Sequence, residues 1–298
     1  MENYLIIGGA GFIGKAYKNF LINNGNKITT TSQNNNNDVD YCFKYTYKNF
    51  LNHFKKNSYN KIFFLSGNSY PQYSENVSDL DIKLTNIPLL NILESLKDVK
   101  SKSTFWFSSS VAVYGKTNKT LLSEGDVCRP ISKYGVSKLM GEEYVNYYSR
   151  VYGLNAGSFR IFSTFGPGLK RQVVYDIITK LKHNSKDLVL LGTGQEGRDI
   201  CYVGNQIERM HFVSQNIKPS GDIYNIGSGQ ISTVSEIANY IVKILKKDIP
   251  IKFSNDKRTF DGMQWCADIS KIRSLGYTKE EKLYDGLKKT IKEMKKMF

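Results

Sequence analysis

The chain has 298 residues and a mass of 34.0 kDa, enough for one large α/β domain or two small ones around a sizeable core. Hydrophobic residues make up 40% and charged residues 23%, which excludes wholesale disorder, and no apolar run approaches the ~18 residues that a membrane span needs. Lys and Arg outnumber Asp and Glu by 42 to 27, a formal charge of +15. The basic stretches at residues 243–257 and 279–296 alternate with apolar residues, and Glu280, Glu281 and Glu293 interrupt the second. They read as a solvated surface. A dedicated nucleic-acid face is the alternative, but no RRM, KH or finger signature accompanies the charge, and a positive field equally suits a small anionic substrate.

In chain order, apolar strands are expected at residues 4–7, 27–31, 61–65, 104–108 and 156–161, with amphipathic helices at 12–23, 47–56, 80–96 and 133–152. That alternation means βαβ units and a Rossmann-type, doubly wound parallel α/β sheet. After Gly166-Pro167-Gly168 the pattern is less regular, with helices expected at 172–183, 205–215, 234–246 and 280–296, and strands at 188–191, 223–226 and 249–253. A smaller C-terminal α/β substrate lobe fits this part. The expected division is 1–165 plus about 200–232 for a dinucleotide-binding domain, and about 166–199 plus 233–298 for the lobe, with the ligand in the crevice outside the strand ends. The N-terminus enters Tyr4-Leu5-Ile6-Ile7 with no basic leader, and Cys42, Cys128, Cys201 and Cys266 form no C-x-x-C pair. Neither a zinc site nor a disulfide framework is expected, and the reading is a reduced, cytoplasmic protein with no membrane segment.

Gly8-Gly9-Ala10-Gly11-Phe12-Ile13-Gly14 follows the first strand and opens the first helix. Gly8 suits a tight turn, Gly11 lets backbone N–H groups approach a pyrophosphate, and Gly14 permits close helix–sheet packing, so the phosphates would rest on the helix N-terminus. The end of the second strand should identify the cofactor, because a carboxylate there holds the NAD ribose and an arginine the NADP phosphate. Here Thr29-Thr30-Thr31-Ser32-Gln33 offers neither, and Asp38 stands farther along. Lacking a cation for the extra phosphate, the segment points to NAD, with NADP as the alternative.

Tyr134-Gly135-Val136-Ser137-Lys138 places a phenol and an ammonium four residues apart, on one helix face. A phenol with an ordinary pKa of ~10 is a poor base at neutral pH, and a nearby ammonium stabilises its phenolate, so the pair suits proton transfer coupled to hydride transfer. The strand before that helix ends in Ser108-Ser109-Ser110, where a hydroxyl can hold the reacting oxygen.

These elements, in this order, resemble the extended short-chain dehydrogenase/reductases, in particular the nucleotide-sugar epimerase/dehydratase branch. Ser108-Ser109-Ser110-Val111-Ala112-Val113-Tyr114-Gly115 is similar to the family's S-S-S-x-x-V-Y-G, and residues 130–138 resemble P-x-S-x-Y-G-x-S-K. The resemblance implies Ser110, Tyr134 and Lys138 as catalytic residues. It implies Gly8, Gly11, Phe12, Ile13, Gly14, Ser66, Tyr134 and Lys138 as cofactor contacts. Residues 160–168 match R-x-F-N-V-Y-G-P-G, with Ser163 in place of a substrate-touching asparagine. Residues 198–205 are similar to R-D-F-I-Y-V-x-D, with Asn205 in place of the last acid and expected to cap the following helix. Arg258-Thr259-Phe260-Asp261 resembles R-P-G-D. The resemblance therefore implies Ser163, Arg198, Arg258 and Asp261 as substrate contacts, the two guanidinium forks clamping a nucleotide diphosphate. Surface ion pairs with Asp199 and Asp261 are the alternative role for the arginines.

The reaction is narrowed by what is absent. The 4,6-dehydratases that this chain resembles carry an Asp-Glu pair directly after the catalytic hydroxyl, where this chain has Val111 and Ala112. Epimerase-reductases with a Cys/His pair place a cysteine at the position of Ala112. Hydride chemistry at C4 of a nucleotide-activated sugar is what is left, as a 4-epimerase/oxidoreductase. The alternative is a dedicated C4 dehydrogenase or 4-ketoreductase of a GDP-, CDP- or dTDP-linked deoxyhexose or heptose. An idle nucleotide-sensing module is a further reading, against which the intact Ser110/Tyr134/Lys138 set stands. The resemblance also implies a homodimer through helices 80–96 and 133–152. The spacing of Ile82, Ile87, Leu90 and Leu93 suits that packing, and equally packing on the sheet.

Overall fold

Runs such as Lys61-Ile62-Phe63-Phe64 are buried at every position, the pattern of strands covered on both faces of a parallel sheet. The computed structural model describes residues 1–34, 38–68, 70–183, 186–255, 264–279 and 282–295. The chain opens with β1 (Asn3–Ile7), α1 (Phe12–Asn23), β2 (Lys27–Ser32), β3 (Tyr41–Cys42), α2 (Tyr47–Lys56) and β4 (Lys61–Phe64). Next come α3 (Pro71–Ser74), a π-helical turn (Ile82–Asn86), α4 (Ile87–Asp98), β5 (Thr104–Ser110) and a 3-10 turn (Val111–Val113). β6 (Leu121–Leu122), α5 (Lys133–Tyr152), β7 (Ala156–Ile161), β8 (Ser163–Phe165), α6 (Gln172–His183) and β9 (Leu188–Leu190) follow. The remainder is β10 (Gly197–Arg198), β11 (Ile200–Tyr202), α7 (Val203–Asn216), β12 (Ile223–Ile226), β13 (Ser232–Thr233), α8 (Val234–Leu245), β14 (Ile251–Phe253), β15 (Cys266–Ala267), α9 (Ser270–Ser274) and α10 (Leu283–Lys295).

Seven strands form one parallel sheet in the order β3-β2-β1-β4-β5-β7-β12. Strand order reverses between β1 and β4, so their carboxyl ends flank the crevice where such sheets bind ligands. The two faces divide by strand alternation. Leu5, Ile7, Ile62, Phe64, Phe105 and Phe107 pack with α2, α4 and α5 through Phe50, Leu89, Leu93 and Val145. On the other face Tyr17 meets Phe63 edge-on, and Trp106 stacks on Phe159 at 4.4 Å. Helix starts follow local chemistry: Thr46 and Ser132 accept from the backbone N–H three residues on, and Gly153 ends α5 in the left-handed region.

The chain divides into two compact units, one of residues 1–116, 124–161 and 207–226, the other of 117–123, 162–206 and 227–298. The second holds its own apolar core, in which Ile177, Leu181, Leu188, Ile237, Ile241, Leu287 and Ile291 are buried together. Parallel pairs β8–β11, β9–β14 and β6–β15 and an antiparallel pair β10–β13 lie in it.

Three expectations need correction. The helix expected over 80–96 begins as a π-helical turn, and regular α-helix starts only at Ile87, because Pro88 cannot donate and favours a first-turn position. Asn205 does not cap the following helix, which starts at Val203 and places Asn205, buried, inside its first turn. Asp199 is no surface ion-pair partner: it is 1% exposed, and its carboxylate accepts from Ser228, Gly229 and Ala267.

Candidate active site

Three strand ends converge on the crevice. After β1, Gly8 has φ +87°, and a Cβ on it would stand 2.8 Å from the backbone nitrogen of Ser66, which follows β4. The turn therefore needs glycine and brings Ser66 against the loop. A Cβ on Gly14 would lie 2.3 Å from the Gly8 carbonyl oxygen, which is the close helix–loop packing the motif implies. Helix α1 starts behind an exposed Gly11 that supplies no capping side chain, and its first turn carries no acid. The first-turn N–H groups, those of Phe12 and Ile13 among them, are oriented for an anion from outside, so this cradle fits a dinucleotide pyrophosphate.

At the end of β2 the side chains are engaged locally. Asp40 accepts from the Thr30 backbone nitrogen at 2.7 Å, and Gln33 accepts from the Tyr45 backbone nitrogen. Asp38 pairs with Lys15 at 2.8 Å, while Lys18 donates to the Asp38 carbonyl. The fold thus brings two α1 cations to this corner that a linear reading of the β2 end does not count, and Asp38 balances Lys15.

Ser110, Tyr134 and Lys138 lie in the same unit, on the end of β5 and the start of α5. The Ser110 hydroxyl accepts from the Ala112 backbone nitrogen at 3.2 Å. Helix α5 comes close because residue 135 is glycine: a Cβ there would stand 2.6 Å from the Ala112 carbonyl oxygen. Glu75 also takes the first α5 N–H, from Lys133, at 3.1 Å. Lys138 is buried, its Nζ donating to the Ser108 carbonyl at 2.8 Å and lying 5.6 Å from the centre of the half-buried Tyr134 ring. Burial pushes the Lys138 ammonium down to about 8, with Asp81 and Glu142 opposing the fall.

Several supporting residues carry no sequence motif. Asn86 accepts from the Ser137 hydroxyl at 2.6 Å and donates to the Ser137 carbonyl at 2.9 Å, pinning the head of α4 to α5 at the residue directly before Lys138. One turn beyond Lys138, Glu142 is buried and holds Arg160 of β7 through three N–H···O contacts of 2.8–3.2 Å. Glu142 also accepts from the Ser109 hydroxyl, so one carboxylate ties β5, β7 and α5 together beside Ser110. Burial works against the Arg160 charge, but Glu142 outweighs it and holds the guanidinium protonated far above neutral pH. The available signal was helical periodicity, since Glu142 shares a face with Lys138.

The expected substrate contacts are distributed differently. Ser163, half-buried on β8, and Arg198, exposed on β10, belong to the second unit. Arg258 and Asp261 lie outside the described residues. Among the described residues no group of three or more His, Cys, Asp or Glu side chains could hold a metal ion, and no helix is long and apolar enough to cross a membrane.

The family described as the NAD dependent epimerase/dehydratase family matches residues 4–227. A UDP-glucuronate 4-epimerase of Thermodesulfobacterium geofontis is 26% identical, with 98% of this chain and 95% of that protein covered. A dTDP-4-dehydro-6-deoxyglucose reductase of Escherichia coli is 25% identical, with 98% and 97% covered, and a dTDP-glucose 4,6-dehydratase is also among the relatives. The crystal structure of a UDP-glucose 4-epimerase of Thermotoga maritima with UDP-glucose superposes with a TM-score of 0.86, at 25% identity and 99% of each chain covered. Glycine motif and sheet agree with these likenesses: the chain belongs to the NAD-dependent epimerase/dehydratase family, whose members are NAD-using enzymes on the extended short-chain dehydrogenase fold.

Proposed function

We propose that this chain oxidises and re-reduces C4 of a nucleotide-activated sugar, as a nucleotide-sugar 4-epimerase/oxidoreductase. The observation that carries the reading is a hydroxyl (Ser110) at the end of β5, with the start of α5 packed on the turn that follows it and carrying a phenol (Tyr134) and a buried ammonium (Lys138), in the same unit as a phosphate-type cradle. NAD, when bound, accepts the C4 hydride and can return it. Tyr134 takes the proton of the C4 hydroxyl as that carbon becomes a ketone, and gives it back on reduction. Ser110 holds the reacting oxygen, and the Lys138 charge favours the Tyr134 phenolate. Gly8, Gly11, Phe12, Ile13, Gly14 and Ser66 hold the cofactor in the first unit. Ser163, Arg198, Arg258 and Asp261 are the candidate sugar-nucleotide contacts, which makes the second unit the substrate lobe.

Elimination of water needs an acid and a base next to the reacting hydroxyl. The two positions after Ser110 are Val111 and Ala112, which supply neither, so we exclude 4,6-dehydration from this reading. The similarity to a dTDP-sugar reductase supports a second reading, a C4 dehydrogenase or ketoreductase with net redox change. A homodimer through α4 and α5 belongs to the proposal, as does a cytoplasmic setting. Val136, Met140, Tyr147 and Val151 repeat at helical spacing along one stripe of α5 and are 36–51% exposed, with Ile82 and Ile87 exposed on the preceding elements. Leu93 is buried in the sheet core instead.

The test starts with the small molecules released when freshly purified protein is denatured, identified by mass spectrometry. Stoichiometric NAD is expected. The protein is then incubated with UDP-glucose and with other UDP-, dTDP-, GDP- and CDP-hexoses, followed by proton NMR of the sugar and absorbance of NADH. Interconversion of C4 epimers without accumulated NADH is the expected result. Stoichiometric NADH selects the dehydrogenase reading, and Tyr134→Phe with near-normal turnover removes the shared mechanism.

A further inference from the structure

Lys138 is supported on one side only by direct contacts. Its Nζ donates to the Ser108 carbonyl of β5 and lies 5.0 Å from the centre of the Phe107 ring. On its own helix it faces Tyr134 and, one turn on, Glu142, whose carboxylate is committed to Arg160 and Ser109. The loop after β4 and the segment that leads into α4 also reach Lys138, through Gly67 and Thr85, and there the structure leaves polar atoms unmatched. Asp81 is 3% exposed; one carboxylate oxygen accepts from Asn68, and the other, Oδ2, is buried with no partner. Thr85 is fully buried, and its hydroxyl also has no partner. Gly67, at φ +151°, stands beside Thr85 and Lys138, and its neighbour Asn68 is the residue that donates to Asp81. A Cβ on Gly67 would lie 2.8 Å from Thr85 Oγ1 and 3.5 Å from Lys138 Nζ. A glycine therefore keeps open a small space lined by the threonine hydroxyl and the lysine ammonium.

We propose that Asp81 and Thr85 form a second, polar support for the Lys138 ammonium across the gap beside Gly67, and so act as positioning residues for the proton transfer assigned to Tyr134. Buried polar atoms without partners are costly, and a single water is the usual remedy where two to four polar groups surround a space of its size. Here it accepts from Lys138 Nζ and donates to Asp81 Oδ2, with the Thr85 hydroxyl as a further partner. Asp81 supplies the negative charge facing Lys138 that no cation in its own surroundings claims, because its one described contact is a neutral amide. A buried ammonium sheds its proton readily unless a carboxylate opposes the loss. The π-helical turn at Ile82–Asn86 directly follows Asp81 and carries Thr85 one residue before Asn86, so this side of the site is built by the same irregular turn that pins α4 to α5. The inference rests on Lys138 serving Tyr134, as proposed above.

The test reads Lys138 itself. Full-length chain with lysine carbon-13 labelled at Cε is titrated by NMR, without and with saturating NAD, and Lys138→Met identifies the resonance. In Asp81→Asn the Lys138 midpoint is expected to move to lower pH by about one unit or more, the size of shift that losing one neighbouring charge produces in a buried site. Thr85→Val should move it the same way by less, and Thr85→Ser should leave it in place. If Asp81→Asn does not fold, the two Thr85 variants still decide. A Lys138 midpoint unmoved in Asp81→Asn, or unmoved in Thr85→Val, overturns the corresponding role. No sugar or turnover enters this measurement, so it fails or succeeds separately from the C4 reading.

Discussion

Replacing Glu142 with glutamine tests the anchoring of the site most sharply. The carboxylate is 3% exposed and Arg160 is 4% exposed, so neither partner has water to fall back on. Glutamine keeps the shape and one acceptor but removes the charge, which leaves the guanidinium buried beside a neutral amide. A buried lysine or histidine would respond by losing its proton, whereas arginine does not. Breaking one side of a buried ion pair costs about 3–5 kcal/mol. The Arg160 bonds to the Glu124 carbonyl and its stacking over Tyr114 at 4.7 Å are retained, which favours the lower half of that range. At ~2.1 cal/mol/K per residue, a chain of 298 residues has a melting entropy of about 0.6 kcal/mol/K, so the lower half of that range lowers the melting temperature by roughly 5–6 °C. The assay is urea unfolding of Glu142→Gln, Arg160→Met and the double variant Glu142→Leu/Arg160→Met. Because removing both charges removes the uncompensated one, the double variant should be more stable than Glu142→Gln alone. Activity should fall below the melting transition too, since Ser109 loses its charged acceptor next to Ser110. A cost of Glu142→Gln below about 1 kcal/mol, the value of an exposed pair, would refute the argument that this pair is a desolvated clamp.

Three further outcomes follow from the geometry. Gly14→Ala should abolish NAD retention while leaving β1 and the sheet folded, as read by cofactor release and circular dichroism, because its Cβ would overlap the Gly8 carbonyl. Gly135→Ala forces α5 away from the 3-10 turn after Ser110, and should lower kcat at least ~10-fold with little change in KM, since small misplacements at a reacting centre are costly. Lys138→Met should stabilise the protein at neutral pH. The folded Lys138 is depressed to about 8, so the unfolded chain binds more protons between there and the ordinary lysine value of ~10.4. The burden of the buried charge is complete below pH ~8 and vanishes as pH rises through that window. The difference between the two stability curves should therefore shrink over the window, and a constant difference would show that the Lys138 ammonium holds its proton in the fold as firmly as in the unfolded chain.

Much of the site was legible in the sequence because its motifs are local. The glycine run, the serine triplet before Val111 and the Tyr134/Lys138 spacing are each set within a few residues, by a turn, a strand end and one helical turn. The helices at 12–23, 47–56 and 133–152 carry periodicity long enough to read, and each is found at those bounds. Periodicity fails for the two- and three-residue strands β6, β8, β10, β11, β13 and β15, which exist only through their pairing partners.

What the sequence by itself determined is the βαβ alternation and the glycine-rich turn after β1, together with the spacing of Ser110, Tyr134 and Lys138 on which the proposal stands. Tertiary structure alone decided which groups surround them. Asn86, Asp81 and Thr85 are separated from Lys138 by 52, 57 and 53 residues of chain, and no local pattern marks them. Burial is the reason they matter. Out of water an ammonium, a carboxylate or a hydroxyl must find its partner within the fold, and only the packed fold specifies which one it finds.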